Sequence, residues 1–254
     1  WLNAQQFTKQ ALLLSQGINA PEITYLWQWQ LGRISKAQNN IEAAILAYSE
    51  AIKTLTAISG DLAVNPELQF SFQESVEPVY RELVSLLLTP DAEGKISQGN
   101  LSQARGVMES LKVAELNNFF KDDCLEVKPV NIDEIDPQAA VIYPVILPNR
   151  LGVILRLPQT PLKYYETPVN AATVEQTALE LRRTLVIRSR RRFYKPAQTL
   201  YEWLVKPAES ELQQAQIKTL VFALDGGLRN IPISSLYDGE NFLLQKYAIA
   251  LTPG

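Results

Sequence analysis

Apolar positions along the chain follow two different periods. From residue 1 to about 126 they recur every three or four positions inside stretches rich in Ala, Leu, Gln and Glu, which is the spacing of amphipathic helices. Within this half an apolar helix is expected at 76–88, after a break centred on Pro66, and Thr89-Pro90-Asp91 with Gly94 marks its stop. Beyond residue 138 the runs shorten and become β-rich. Residues 139–147 and 151–157 flank Pro148-Asn149-Arg150, a hairpin signal, and 162–169 predicts a third strand. Helices follow at 171–188, with Val174, Ala178, Leu181 and Leu185 at helical spacing, and at 197–216, with Leu200, Trp203 and Leu204. Pro196 marks a helix start and Pro207 a break or kink. The apolar run Leu220-Val221-Phe222-Ala223-Leu224 and a strand at 247–251 complete the series. The order β-β-β-α-α-β-loop-β fits an α/β domain whose later strands are parallel and fully buried.

Between the two periods, Val127-Lys128-Pro129-Val130 and Asp133-Glu134-Ile135-Asp136-Pro137 carry turn formers and charge in place of periodicity. The expected organisation is therefore a helical domain at 1–126, a linker at 127–138 and an α/β domain at 139–254. A length of 254 residues accommodates two domains of ordinary size.

Inside the helical half, Leu31-Gly32 is followed by Ala44, Tyr48 and Ala51, which match the Leu-Gly, Ala, aromatic and Ala positions of a tetratricopeptide repeat at the expected offsets. The match has a packing logic. Small residues at 32, 44 and 51 let two antiparallel helices approach closely, while Tyr48 fills the space between neighbouring hairpins. Trp27 and Trp29 straddle the usual Trp position, and Ser35 replaces the usual Tyr. Helical hairpins without repeat ancestry also place small residues at contact points, so both readings stay open. Residues 98–105 resemble 38–45 at a separation longer than one repeat, which makes the array irregular.

Composition narrows the function classes. Hydrophobic residues make up 46% and charged residues 20%, which predicts a folded globular product. A net charge of −3 argues against a nucleic-acid binder, whose affinity comes from neutralising phosphates. The one dense basic cluster, Arg188 with Arg190, Arg191 and Arg192, follows an amphipathic run and reads first as a solvated helix end, second as a binding patch. Cys124 is the only cysteine, so neither an intrachain disulfide nor a thiolate metal cluster is expected, and Lys121-Asp122-Asp123 before it suits a helix-end position. Asp133, Glu134 and Asp136 lack the ligand spacing of a metal loop and read as solvated linker. No apolar run is long enough for a membrane helix. Trp1 in place of Met leaves a lost upstream segment or signal peptide open; a cytoplasmic location is the simplest expectation.

The candidate chemistry lies at 217–232, where a buried strand runs straight into the polar turn Asp225-Gly226-Gly227 followed by Arg229. Open α/β sheets collect ligands and catalytic groups at the carboxyl ends of their strands. Asp225, Gly226, Gly227 and Arg229 are therefore the candidate cleft-wall residues, set against the plainer reading that Asp-Gly-Gly simply makes a tight turn. Gly226-Gly227 lacks the spaced glycines and the Lys-Ser/Thr ending of a phosphate loop, so no nucleotide or other cofactor is expected. The chain contains no histidine.

Together these residues resemble the CHAT family, bacterial caspase-like domains preceded by tetratricopeptide repeats. The likeness is carried by 75–84 (SVEPVYRELV), 114–120 (AELNNFF), 140–144 (AVIYP), and above all 220–238 followed by 246–253 (KYAIALTP). The resemblance implies tetratricopeptide-like helical hairpins followed by the first part of a caspase-like α/β domain with a parallel core. It also implies a cysteine peptidase whose histidine and cysteine each end a core strand. Both dyad residues follow the segment that matches here, and Cys124 does not match the nucleophile, so no catalytic residue carries over. Three functions are expected candidates: the N-terminal part of a caspase-like endopeptidase, inactive alone; a scaffold whose repeats bind a protein or peptide beside a pseudo-peptidase domain; and a piece of an assembly in which a second chain or a C-terminal segment completes the sheet.

Overall fold

The computed structural model describes residues 1–58, 72–120, 136–186 and 191–252. Pro66, Cys124, most of the expected linker, Arg188 and Arg190 lie outside the described residues. The chain divides into two compact units, Trp1–Ile96 with Gly106–Lys128, and Ser97–Arg105 with Pro129–Gly254.

The first unit is helical. Helices α1 (Leu2–Gly17), α2 (Pro21–Ala37) and α3 (Ile41–Ala57) pack in succession, and α3 packs on α4 (Glu77–Leu87), which continues from a wide helical turn at Phe72–Val76. Helix α5 (Gln98–Phe120) contributes residues to both units. Local chemistry sets the joints. Pro21 occupies the first turn of α2, where a missing N–H costs nothing. Asn39 takes the left-handed conformation (φ 59°) that ends α2, and the Asn40 side chain caps α3 by accepting from the Ala43 N–H at 3.1 Å. Ala44, Tyr48 and Ala51 are completely buried, Gly32 is buried and Leu31 is half-buried. At Gly32 an added Cβ would stand 2.8 Å from the Tyr48 ring, so the aromatic residue packs where only glycine leaves room.

The second unit is a mixed five-stranded sheet in the order β3-β2-β1-β4-β5. Its strands are β1 (Ala139–Leu147), β2 (Arg150–Arg156), β3 (Lys163–Thr167), β4 (Thr219–Phe222) and β5 (Ala248–Leu251). The first three pair antiparallel as a meander; β1, β4 and β5 pair in parallel. Between β3 and β4 lie α6 (Ala171–Leu185), α7 (Tyr194–Leu204), a short turn at Lys206–Ala208 and α8 (Glu209–Gln214). The helical stretch expected at 197–216 is divided in two at the expected break, because Pro207 cannot donate to a continuous ladder and the backbone tightens around it. Alternation sorts the strands: Ala140, Ile142, Leu220 and Phe222 join Val174, Leu181, Leu200 and Leu212 in the main core, while Ala139, Val141 and Val221 face the other way. Gln98 acts as a side-chain substitute for a strand, donating to the Leu162 carbonyl (2.8 Å) and accepting from its N–H (2.9 Å).

One expectation fails. β4 is buried, but β5 is not: Ala248, Ala250 and Leu251 are exposed, and Leu251 retains 61% of its surface. Among the described residues β5 pairs with β4 alone, which is the open sheet edge implied by the expectation that a second chain or a C-terminal segment completes the sheet.

Candidate functional site

The carboxyl ends of β1 and β4 build the candidate site, and Pro144 explains its shape. β1 is longer than β4: their pairing stops at Ile142 opposite Phe222, with one further bond from the Ala223 N–H to the Ile142 carbonyl. Past that point β1 continues alone on this side. Pro144, which has no N–H to give, stands where no strand could receive it. Ile146, two residues on, aims its N–H in the same direction, and Asp225 receives it: Oδ2 accepts at 2.9 Å, with the carboxylate wholly buried. Asp225 thus prolongs the β1–β4 pairing by one bond, as a side-chain substitute for backbone.

A tight helical turn, Gly226–Asn230, follows at once. Gly226 has φ 50°, a conformation that side chains disfavour. Glu175, from the second turn of α6, reaches over the turn and accepts from the Gly227 N–H at 3.0 Å. A Cβ at either glycine would meet its carboxylate, at 2.5 Å from Gly226 and 2.0 Å from Gly227. Helix α6 is aimed there by its own start, where the Asn170 side chain accepts from the Thr173 N–H at 2.8 Å. Arg229 donates from Nε to the Leu224 carbonyl at 3.1 Å and is otherwise exposed. The four candidate residues are therefore together on one turn but face different ways. Asp225 points inward to β1, the glycines lie under Glu175, and Arg229 turns back to the Leu224 carbonyl. Neither Glu175 nor the Ile146 N–H could be read from the sequence, because both partners are more than fifty residues from the turn they hold.

A second polar cluster fixes the loop beyond the turn. Lys246, in the short helix α9 (Leu243–Lys246), lies 2.7 Å from Glu209 and 3.1 Å from Asp238, while Lys206 lies 2.8 Å from Glu209 and Tyr201 donates to it at 2.9 Å. Burial by itself raises the Glu209 carboxyl, but donation from Lys206, Lys246 and Tyr201 outweighs it and holds the pKa at about 2. Asp238 is lowered in the same way: burial opposes, and the Asn241 and Glu240 N–H groups with Lys246 prevail. Lys246 is raised despite burial by its two carboxylates. These charges are mutually satisfied and anchor the segment that leads into β5.

A cavity of about 610 Å³ opens at the other edge of the sheet, lined by Gln138, Gln213, Lys218, Lys246 and Tyr247 at the amino ends of β1, β4 and β5. Its lining holds no Cys, Ser, His or carboxylate, and its Lys246 is neutralised. The carboxyl-end turn remains the better candidate on grounds of sheet topology. Among the described residues no group of His, Cys, Asp and Glu is placed to hold a metal ion, and no helix is long and apolar enough to cross a membrane.

Residues 194–254 match the family model of the CHAT domain. The match covers α7, α8, β4, the Asp225 turn, α9 and β5, and it agrees with the family that the motifs at 220–238 and 246–253 resemble. The motifs at 75–84, 114–120 and 140–144 fall outside the matched segment. No curated protein matches the chain.

Proposed function

We propose that the α/β unit forms one wall of a caspase-like cysteine-peptidase site and that the helical unit binds a protein or peptide segment. The observation that carries the first part is the position of the Asp225 turn: it lies inside the CHAT-matching segment, at the carboxyl end of a parallel strand. Peptide hydrolysis by a cysteine nucleophile needs a base beside the thiol and backbone amides aimed at the developing oxyanion. This chain has no histidine, so a dyad would be supplied by polypeptide other than residues 1–254. In this reading Asp225 and Glu175 have a positioning role, holding the ends of β1 and β4 and the glycine turn at fixed separation, and Arg229 is an exposed residue of the same wall.

The binding role of the helices is supported by the tetratricopeptide-like set Leu31, Gly32, Ala44, Tyr48 and Ala51, since stacked helical hairpins expose a surface suited to peptide segments. The test has two arms. Residues 1–254 incubated with fluorogenic peptide substrates should give no thiol-dependent cleavage, and cleavage abolished by alkylating Cys124 would overturn the reading. A pull-down in which the α/β unit captures a partner and residues 1–126 do not would overturn the binding role.

The second reading is a scaffold with a pseudo-peptidase domain. The observation favouring it is that Asp225 is fully buried and engaged by β1, so this carboxylate is not offered to a substrate as acid or base. A cysteine-directed activity probe that labels the parent polypeptide at a residue outside 1–254 decides for the peptidase; absence of labelling decides for the scaffold.

A further inference from the structure

Several cations of this molecule are neutralised by neighbouring carboxylates. Arg33, Arg81, Arg150, Lys163, Lys206 and Lys246 each stand within 4 Å of one. One region departs from this. Residues 182–195 hold seven of the chain's 24 Lys and Arg residues and no Asp or Glu, so the remainder of a chain with net charge −3 is distinctly acidic. Five of the seven are described, namely Arg182, Arg183, Arg191, Arg192 and Lys195. All five are exposed, and among the described residues no carboxylate pairs with any of them.

Helix-end stabilisation accounts for only two. Arg182 and Arg183 lie in the last turn of α6, where cations interact favourably with the helix dipole. Arg191 and Arg192 belong to the helical turn Arg191–Phe193 that runs directly into α7, and Lys195 is in the first turn of α7, which contains no acidic residue. Three cations therefore crowd the positive end of a helix, an arrangement that opposes folding. Of the cluster expected to be a solvated helix end, Arg188 and Arg190 lie outside the described residues, and Arg191 and Arg192 stand at the start of the next helix, where the dipole has the opposite sign.

The cations also ride on a rigid support. α6 packs against both the 191–193 turn and α7. Phe193 stacks on Tyr194 with centroids 4.4 Å apart, and Tyr194 meets Tyr237 at 4.8 Å and Phe242 at 5.8 Å. A set of charges held in fixed positions, unpaired and in part unfavourable to its own helix, is the electrostatic form of a binding surface awaiting its counter-charge.

We propose that Arg182, Arg183, Arg191, Arg192 and Lys195 form a docking surface for a short acidic protein segment rich in Asp and Glu. Four of the five are arginines, whose planar guanidinium matches a carboxylate through two parallel hydrogen bonds. The patch spans one helix end and one turn, and the rest of the chain is acidic. An extended polyanion such as RNA, or a negatively charged membrane, would be repelled wherever it ran beyond the patch, whereas a short acidic segment need not extend past it. The surface precedes the CHAT-matching segment except for Lys195.

The test uses the full chain and three probes read by fluorescence anisotropy or co-sedimentation: a labelled oligo-glutamate peptide, a labelled oligouridine RNA and phosphatidylserine vesicles. Oligo-glutamate should bind most tightly and weaken as salt rises. Two variant sets, R182Q with R183Q, and R191Q with R192Q and K195Q, should each reduce that affinity by about tenfold, the sum of a few exposed ion pairs. The second set should also raise the Tm by a few degrees, because it relieves the amino end of α7. Equal binding of oligo-glutamate by wild type and both sets overturns the proposal. So does tighter binding of RNA or vesicles than of peptide. A fall in Tm for the second set would show that folding itself needs these cations, which removes the reason for assigning them to a partner.

Discussion

Glu82 in the helical unit and Asp225 in the α/β unit solve different problems with the same functional group. Glu82 on α4 gathers side chains. The Trp29 indole donates at 3.1 Å and Arg33 at 3.2 and 2.8 Å from α2, while the Tyr48 hydroxyl donates from α3. Arg33 also lies 3.9 Å over the Trp29 ring. Burial raises the Glu82 carboxyl, but Arg33, Tyr48 and Trp29 together bring it below its usual value; burial and then Glu82 push the Tyr48 hydroxyl up. The cluster retains solvent access, with the Glu82 side chain 26% exposed and Arg33 47%. Asp225 instead engages a backbone N–H and is excluded from water altogether. Side-chain partners adjust when one is lost, whereas a strand N–H beyond its last ladder bond cannot be re-aimed without moving the strand. The helical unit is therefore expected to tolerate loss of its polar centre better than the sheet tolerates loss of Asp225.

Asp225→Ala should produce the largest effect, about 3 kcal/mol, by leaving the buried Ile146 N–H without its acceptor. Hydrogen exchange should show lost protection at the carboxyl ends of β1 and β4 and none in α2–α4, and Asp225→Asn should retain much of the protection through its amide oxygen. Equal loss in both units would erase the contrast. Glu82→Ala should cost about 2 kcal/mol, discounted because the pair with Arg33 is partly solvated, with protection lost in α2–α4 alone. Gly226→Ala should cost about 1 kcal/mol through its left-handed conformation and displacement of Glu175, lowering the Tm of the α/β unit only.

The smallest effect concerns pH. Glu82, Glu209 and Asp238 all have carboxyls lowered on folding, so the stability they confer is present above their ordinary values, about 4.5 for the glutamates and about 3.8 for the aspartate, and is lost as pH falls toward the folded values. For Glu209 that loss extends down to about 2. Acid titration should accordingly loosen the α8–α9 segment between these limits, and Glu209→Gln should flatten its pH dependence. A pH-independent segment would mean that the Lys206, Tyr201 and Lys246 contacts do not persist in solution.

Much of the fold was legible because it is local. The hairpin at Pro148-Asn149-Arg150, the strands at 139–147 and 219–222 and the stop after Leu88 follow from turn residues and apolar period. The repeat positions Gly32, Ala44, Tyr48 and Ala51 were legible as close-contact residues and are buried together. The site was legible only in part. Asp-Gly-Gly announced a turn, but whether Asp225 faced a cleft or the neighbouring strand depended on β1 outrunning β4, which is a property of the pairing.

By itself the sequence determined the helical and α/β halves, the absence of a histidine base and the need for glycine at 32 and 226, because period, composition and backbone conformation are set within a few residues. The tertiary structure alone decided that Glu82 and Glu175 matter and that Arg191 and Arg192 sit at the wrong end of a helix for their charge. Those facts depend on groups brought together across tens of residues or on where a helix begins, and electrostatics acts on distance in space, which chain order does not encode.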